Sequence, residues 1–198
     1  MSFSEQFLQT TSSTIAALDH LTIESAARLL GSVRDRGGRL FTCGSGGGAG
    51  HASHAACDFR KLCDFETYCV TDNVSELTAR VNDDGWDSSY SNWLRVSRLS
   101  SNDAILIFSV GGGSAEHKVS NNLIEACNLA KSVNAKIVTI VGRDGGAIGR
   151  LADNCITIPP VLSSQVTPQT EGLQAVVWHL LVSHPALAVN SAKWEGMP

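Results

Sequence analysis

The sequence has no basic excess. Its 198 residues carry 15 Lys and Arg against 19 Asp and Glu, a formal net charge of −4. A protein that tracks a nucleic-acid backbone carries a basic surplus or a dense basic stripe, so nucleic acid is not expected as a partner. Long apolar runs are also missing. Stretches such as Ala104 to Phe108 fall far short of the roughly 20 residues that cross a bilayer, and no membrane partner is expected. The opening residues MSFSEQFLQTTSS are polar and acidic where a signal peptide is basic and then apolar, which predicts a cytoplasmic protein. The six cysteines (Cys43, Cys57, Cys63, Cys69, Cys127, Cys155) form no CxxC pair, so buried free thiols are expected rather than a disulfide framework. No repeat, low-complexity tract or long linker interrupts the chain. Its length suits one α/β domain.

What is present is an alternation of apolar strands and helical segments. Residues Phe3 to Leu21 and Glu24 to Val33 read as two helices, the second with Thr22 as candidate N-cap and Gly37-Gly38 as its stop. Strands are expected at Arg39–Cys43, Glu66–Val70, Ala104–Val110, Lys136–Val141 and Cys155–Ile158. Helices are expected after Gly50, over Val74–Arg80 and Tyr90–Leu99, from Ser114 to about Val133, and over Glu171–Ser183. Strands separated by helices predict a parallel sheet covered on both faces. Residues 1–36 then form a helical extension for oligomerisation, and residues 37–198 the βα core of a single domain.

Two of the strand-to-helix turns are glycine-rich: Gly44-Ser45-Gly46-Gly47-Gly48-Ala49-Gly50 and Ser109-Val110-Gly111-Gly112-Gly113-Ser114. Neither is a Walker A loop, and neither is a full GxGxxG followed by a ribose-binding acid. Both fall where an open parallel sheet binds ligands, and a helix N-terminus there attracts anions. Tight turns alone would also ask for these glycines. His54 and Asp58 share a helix face at spacing four. Glu171 and His179, a little over two turns apart, share another. If the two pairs converge they make either a four-ligand N/O metal site or an acid/base pair; otherwise they are ion pairs, with His179 a core histidine. His51 lies on the same helix as His54, and His117 is expected to open a helix beside the second loop. The turn Asn82 to Asp87 offers carboxylates to sugar hydroxyls.

These stretches together resemble the bacterial phosphoheptose isomerases, proteins of the sugar isomerase (SIS) domain. The likeness lies in Phe41–Asp58, Ile107–Ser114, Val141–Gly146 and Gln169–Leu181, in the family's order. It implies an SIS-type three-layer α/β/α sandwich with a five-stranded parallel sheet. It also implies a homotetramer with active sites between subunits, and one zinc ion per subunit held by His54, Asp58, Glu171 and His179. The implied reaction converts sedoheptulose 7-phosphate to D-glycero-D-manno-heptose 7-phosphate through an enediol. Asp58 falls on the family's catalytic carboxylate and His179 on its catalytic histidine. Ser45, Gly46, Gly47, Asp83, Ser109, Ser114 and Glu171 fall on substrate-binding positions. A non-catalytic SIS protein that binds a sugar phosphate, or a partner such as the replication initiator, is the alternative. The sequence departs from the family at Ser45 (usually Asn), Gly48 (Ser), Val110, Gly111 and Gly113 (Thr, Ser, Asn), Leu62 (Arg) and Pro168 (Asp). Asp58 stands for Glu and Glu171 for Gln, so one carboxylate is shorter and one charge is added.

Overall fold

The computed structural model describes residues 1–196. Five strands form one sheet: β1 (Leu40–Gly44), β2 (Thr67–Cys69), β3 (Ala104–Ser109), β4 (Lys136–Gly142) and β5 (Asn154–Ile158). Their order is β2-β1-β3-β4-β5, and each neighbouring pair is parallel. All residues of β1 and β3 are buried, as a sheet covered on both faces requires. Successive side chains serve opposite layers. Leu40, Leu106 and Phe108 pack with Leu30, Phe59 and Val177 from α2 (His20–Asp35), α3 (Gly47–Cys63) and α8 (Val166–Ser183). Phe41, Ile105 and Ile107 pack with Leu94, Leu123 and Ile148 from α5 (Ser89–Val96), α6 (Asn121–Ser132) and α7 (Gly146–Leu151). This is the expected three-layer sandwich. No helix among the described residues is long and apolar enough to cross a membrane.

α1 (Phe3–Ala16) lies against α8 and buries only Thr10 and Thr14. The N-cap of α2 is Asp19, not Thr22, because the Asp19 carboxylate accepts from Leu21 N and Thr22 N. α4 (Val74–Asp84) takes in Asn82 to Asp84, which were expected as a turn. α6 starts at Asn121 rather than directly after the second glycine loop, so His117 sits in a turn closed by the Ser114–Val119 bridge. Four cysteines are buried as expected, and burial pushes Cys63 up to about 11 and Cys127 to about 12. Cys57 is exposed instead. The chain runs from β1 outward to β2 and from β3 outward to β4. β1 and β3 therefore flank the switch point, and the crevice for a ligand opens at their carboxyl ends.

Candidate functional site

Both glycine loops line that crevice. Gly46, at φ +59°, turns the chain into α3, whose N-terminus has no side-chain cap. Gly48 packs α3 onto β3, and a Cβ there would stand 2.6 Å from Phe108 O. Ser45 Oγ accepts from Asn122 Nδ2 at 3.1 Å. Tyr90 O–H donates to Gly44 O at 2.6 Å; burial, first among the causes, pushes its pKa up, so the phenol stays protonated. In the second loop Ser109 Oγ accepts from Gly112 N and Ser114 Oγ from His117 N. The first amides of α7 are used by this loop, Ala147 N to Gly113 O and Ile148 N to Gly112 O. α6 begins only at Asn121, beyond the Ser114–Val119 bridge, so, contrary to expectation, no helix opens directly on the second loop. A cavity of about 160 Å³ there is lined by Gly111, Gly113, Ser114, His117 and Arg143. Its cation comes from Arg143.

α3 and α8 pack side by side in the same direction, and this joins the two His/carboxylate faces. His54 Nε2 and His179 Nε2 each stand 3.6 Å from Asp58 Oδ2. Ligand atoms of all three residues lie within 4.8 Å of one another. At 3.6 Å these are not hydrogen bonds. His179 Nδ1 lies 2.7 Å from Ala175 O, and a carbonyl only accepts, so Nδ1 carries the proton and Nε2 presents a lone pair. Trp178 Nε1 donates to Asp58 Oδ2 at 3.1 Å and holds the carboxylate in place. Two imidazole nitrogens and a carboxylate oxygen thus converge as three donor atoms that a cation could bridge. A tetrahedral shell with bonds of about 2.0–2.1 Å sets neighbouring donors roughly 3.3 Å apart, close to the spacing here. A backbone carbonyl on the outer imidazole nitrogen is the usual support for such a ligand. The donor set fits a metal ion with an open fourth position.

Glu171 is not in that cluster. Eight residues along α8 put it roughly 12 Å from His179, against the start of α3: a Cβ on Gly47 would meet its Oε1 at 2.5 Å. Its expected role as a metal ligand is therefore not met within this chain. It places a negative charge at the electropositive end of α3. Asp83 is exposed in the last turn of α4, and its carboxylate accepts from neighbouring Asn82. Nothing among the described residues links it to the crevice.

Two residues with no expected role complete the site. Gln174, fully buried, donates from Nε2 to Ser109 O at 3.1 Å and Ile140 O at 2.8 Å. His51 Nδ1 lies 3.0 Å from Gln174 Oε1. Trp178 stacks among three histidines, 5.0 Å from His51, 5.4 Å from His54 and 4.8 Å from His179. A glutamine inside the apolar run Leu173–Trp178 was the one sequence signal for such a contact.

The profile of the SIS domain matches residues 3–142. A lincomycin biosynthesis protein of Streptomyces lincolnensis, LmbN, is 38% identical over 171 residues, 81% of this chain and 60% of that protein. The chain thus spans about three fifths of that relative's length. A phosphoheptose isomerase of Rhodospirillum rubrum is 29% identical over 163 residues, 80% of each chain. The structure of a phosphoheptose isomerase from Neisseria gonorrhoeae superposes with a TM-score of 0.77 over 90% of this chain and 93% of that one. Its 24% identity makes that a likeness of fold. The chain belongs to the SIS domain family, and its likeness to phosphoheptose isomerases extends from the glycine loops to the sheet that carries them.

Proposed function

We propose that the chain is a sugar-phosphate isomerase that interconverts a ketose and an aldose. Its proposed substrate is sedoheptulose 7-phosphate and its product D-glycero-D-manno-heptose 7-phosphate. One observation carries the reading: His54, Asp58 and His179 converge on the exposed seam between α3 and α8, the two helices whose starts, at Gly47 and Glu171, border the crevice. A pure binding module needs no such convergence. The likeness to the R. rubrum protein, a phosphoheptose isomerase, supports it.

Charge orients the substrate. Glu171 repels an anion from the first loop, whereas Arg143 attracts one to the second. The phosphate therefore lies along Gly111–Ser114, where the Ser109 and Ser114 hydroxyl hydrogens remain to donate. C1 and C2 lie toward α3, and Ser45, the Gly46-Gly47 turn and Glu171 receive sugar hydroxyls. His54, Asp58 and His179 would hold a zinc ion, which would polarise the substrate's carbonyl. Asp58 Oδ2 faces the two imidazoles, and Oδ1 has no protein partner among the described residues. Asp58 Oδ1 is the group that takes the C1 proton.

The test is NMR of the zinc-loaded protein with sedoheptulose 7-phosphate in heavy water. Deuterium should enter the sugar at C1 and C2, and the aldose should accumulate. Asp58→Asn, which keeps an oxygen acceptor but no basic carboxylate, should lower both by about 10²–10⁴-fold. A wild-type protein that gives neither exchange nor aldose would overturn the reading.

A further inference from the structure

We propose that His51, held by Gln174, is the group that moves the proton between the two sugar oxygens. The inference rests on the isomerase reading and assigns a step that the metal-facing residues leave open. In the proposed metal site both nitrogens of His179 are committed, Nδ1 to Ala175 O and Nε2 to the ion. Neither is left for O1 or O2.

His51 is differently held. The Gln174 amide cannot be reversed, because its oxygen would then face the carbonyls of Ser109 and Ile140, which Nε2 now serves. Oε1 must therefore accept, and Nδ1 of His51 must be its donor. The neutral ring is locked in the tautomer with an unprotonated Nε2. That nitrogen lies on the far side of the ring from buried Gln174, and it has no hydrogen bond among the described residues. The ring edge is fixed further by Trp178 at 5.0 Å and Phe108 at 6.1 Å. His51 sits one helical turn after Gly47 and one before His54, between the glycine loop and the triad. A proton acceptor held by a second group, which is held in turn by two backbone carbonyls, is the arrangement of a positioned base.

The step balances. Asp58 removes a proton from C1; that C–H electron pair forms the C1–C2 double bond, and the carbonyl π pair moves to O2. His51 Nε2 takes the hydroxyl proton from O1 and delivers it to O2. The O1 pair then forms the C1 carbonyl, and the double-bond pair takes the proton back from Asp58 at C2. His51 ends as it began.

The experiment compares wild type, His51→Asn and His51→Ala, zinc-loaded, with sedoheptulose 7-phosphate in heavy water. Asparagine places an N–H where Nδ1 stood, so it keeps the link to Gln174 and loses Nε2. Deuterium uptake at C1 of the remaining ketose reads the carbon step; aldose formation reads the whole transfer. Both variants should form aldose about 100-fold more slowly or worse, while C1 exchange falls by less than about tenfold. His51→Asn should melt near wild type. If His51→Asn keeps a third or more of wild-type aldose formation, the histidine is structural and the inference fails. It fails equally if exchange and conversion drop together. Wild type that shows neither signal refutes the isomerase reading itself, which separates the two failures.

Discussion

At the scale of single residues, the site depends on one tryptophan more than its histidines suggest. Trp178 donates to the same Asp58 oxygen that faces His54 and His179. Groups that orient a metal ligand commonly change affinity by about 10–100-fold when removed. Trp178→Phe keeps most of the buried ring and loses only the donor. Competition with a chelator should show zinc affinity weakened by about that factor, with the fold retained; unchanged affinity would mean that Asp58 holds its place unaided. Asp58→Glu probes the other oxygen. The added methylene, roughly 1.5 Å of reach, pushes the carboxylate into a triad already near ligand spacing. Zinc content and C1 exchange should then change in different proportions, measured on the same preparation. The individual acids and histidines were legible in the sequence because i, i+4 spacing on a helix is a local fact. The Trp178–Asp58 and His51–Gln174 contacts were not. They arise only once α3 and α8 lie side by side, and nothing in either helix alone states that pairing.

At the scale of elements, the strands and glycine turns were legible because burial on both sheet faces demands unbroken apolar runs. Ends were less so. Helix α6 starts late because Gly112 and Gly113, at φ +69° and +75°, fold the loop onto α7, a tertiary contact invisible to local propensity. Far from the crevice, a polar clamp ties the starts of β1 and β3 together. Asp103, with 3% of its side chain exposed, accepts from Arg39 N, Nε and Nη2 and from Ser100 N and Oγ. Burial raises its pKa, but the hydrogen bonds from Arg39 and Ser100 outweigh that, and the net shift is downward. A carboxyl lowered in the folded state stabilises above its unfolded value, about 3.9. That contribution is lost as pH falls through the lower folded value. Asp103→Ala leaves Arg39 and two backbone amides short of partners. It should cost about 3 kcal/mol by denaturant unfolding at pH 7, and the gap to wild type should narrow steadily below about pH 4. A gap that stays constant to pH 2 would show that the clamp is not charged. Zinc binding should be unaffected, since the clamp shares no contact with His54, Asp58 or His179.

At the scale of the whole molecule, the surface of α1 asks for a partner. Leu8 and Ile15 lie seven residues apart on one stripe of α1 and are 67% and 46% exposed, and Met1, just before the helix, is 82% exposed. Leu8 lines a groove of about 680 Å³ with Met1, Glu5, Gln9 and Ser12. On α8, Val176 and Leu180 are also open to solvent. The triad between α3 and α8 is half uncovered, with 58% of the His54 side chain and 53% of His179 exposed. A site that removes protons from carbon works best when water is excluded. We propose that further copies of this chain, assembled as a homotetramer, cover α1 and the open flank of the crevice together. Light scattering at micromolar concentration should give four times the chain mass. Leu8→Glu with Ile15→Glu alters exposed positions and should change single-chain stability little, yet put two like charges on the covered stripe. The mass should fall, and aldose formation should fall with it, while secondary structure and melting of the isolated chain persist. Loss of assembly with activity intact would place the whole site within one chain. A wild type that is already monomeric would leave the apolar stripe without this role.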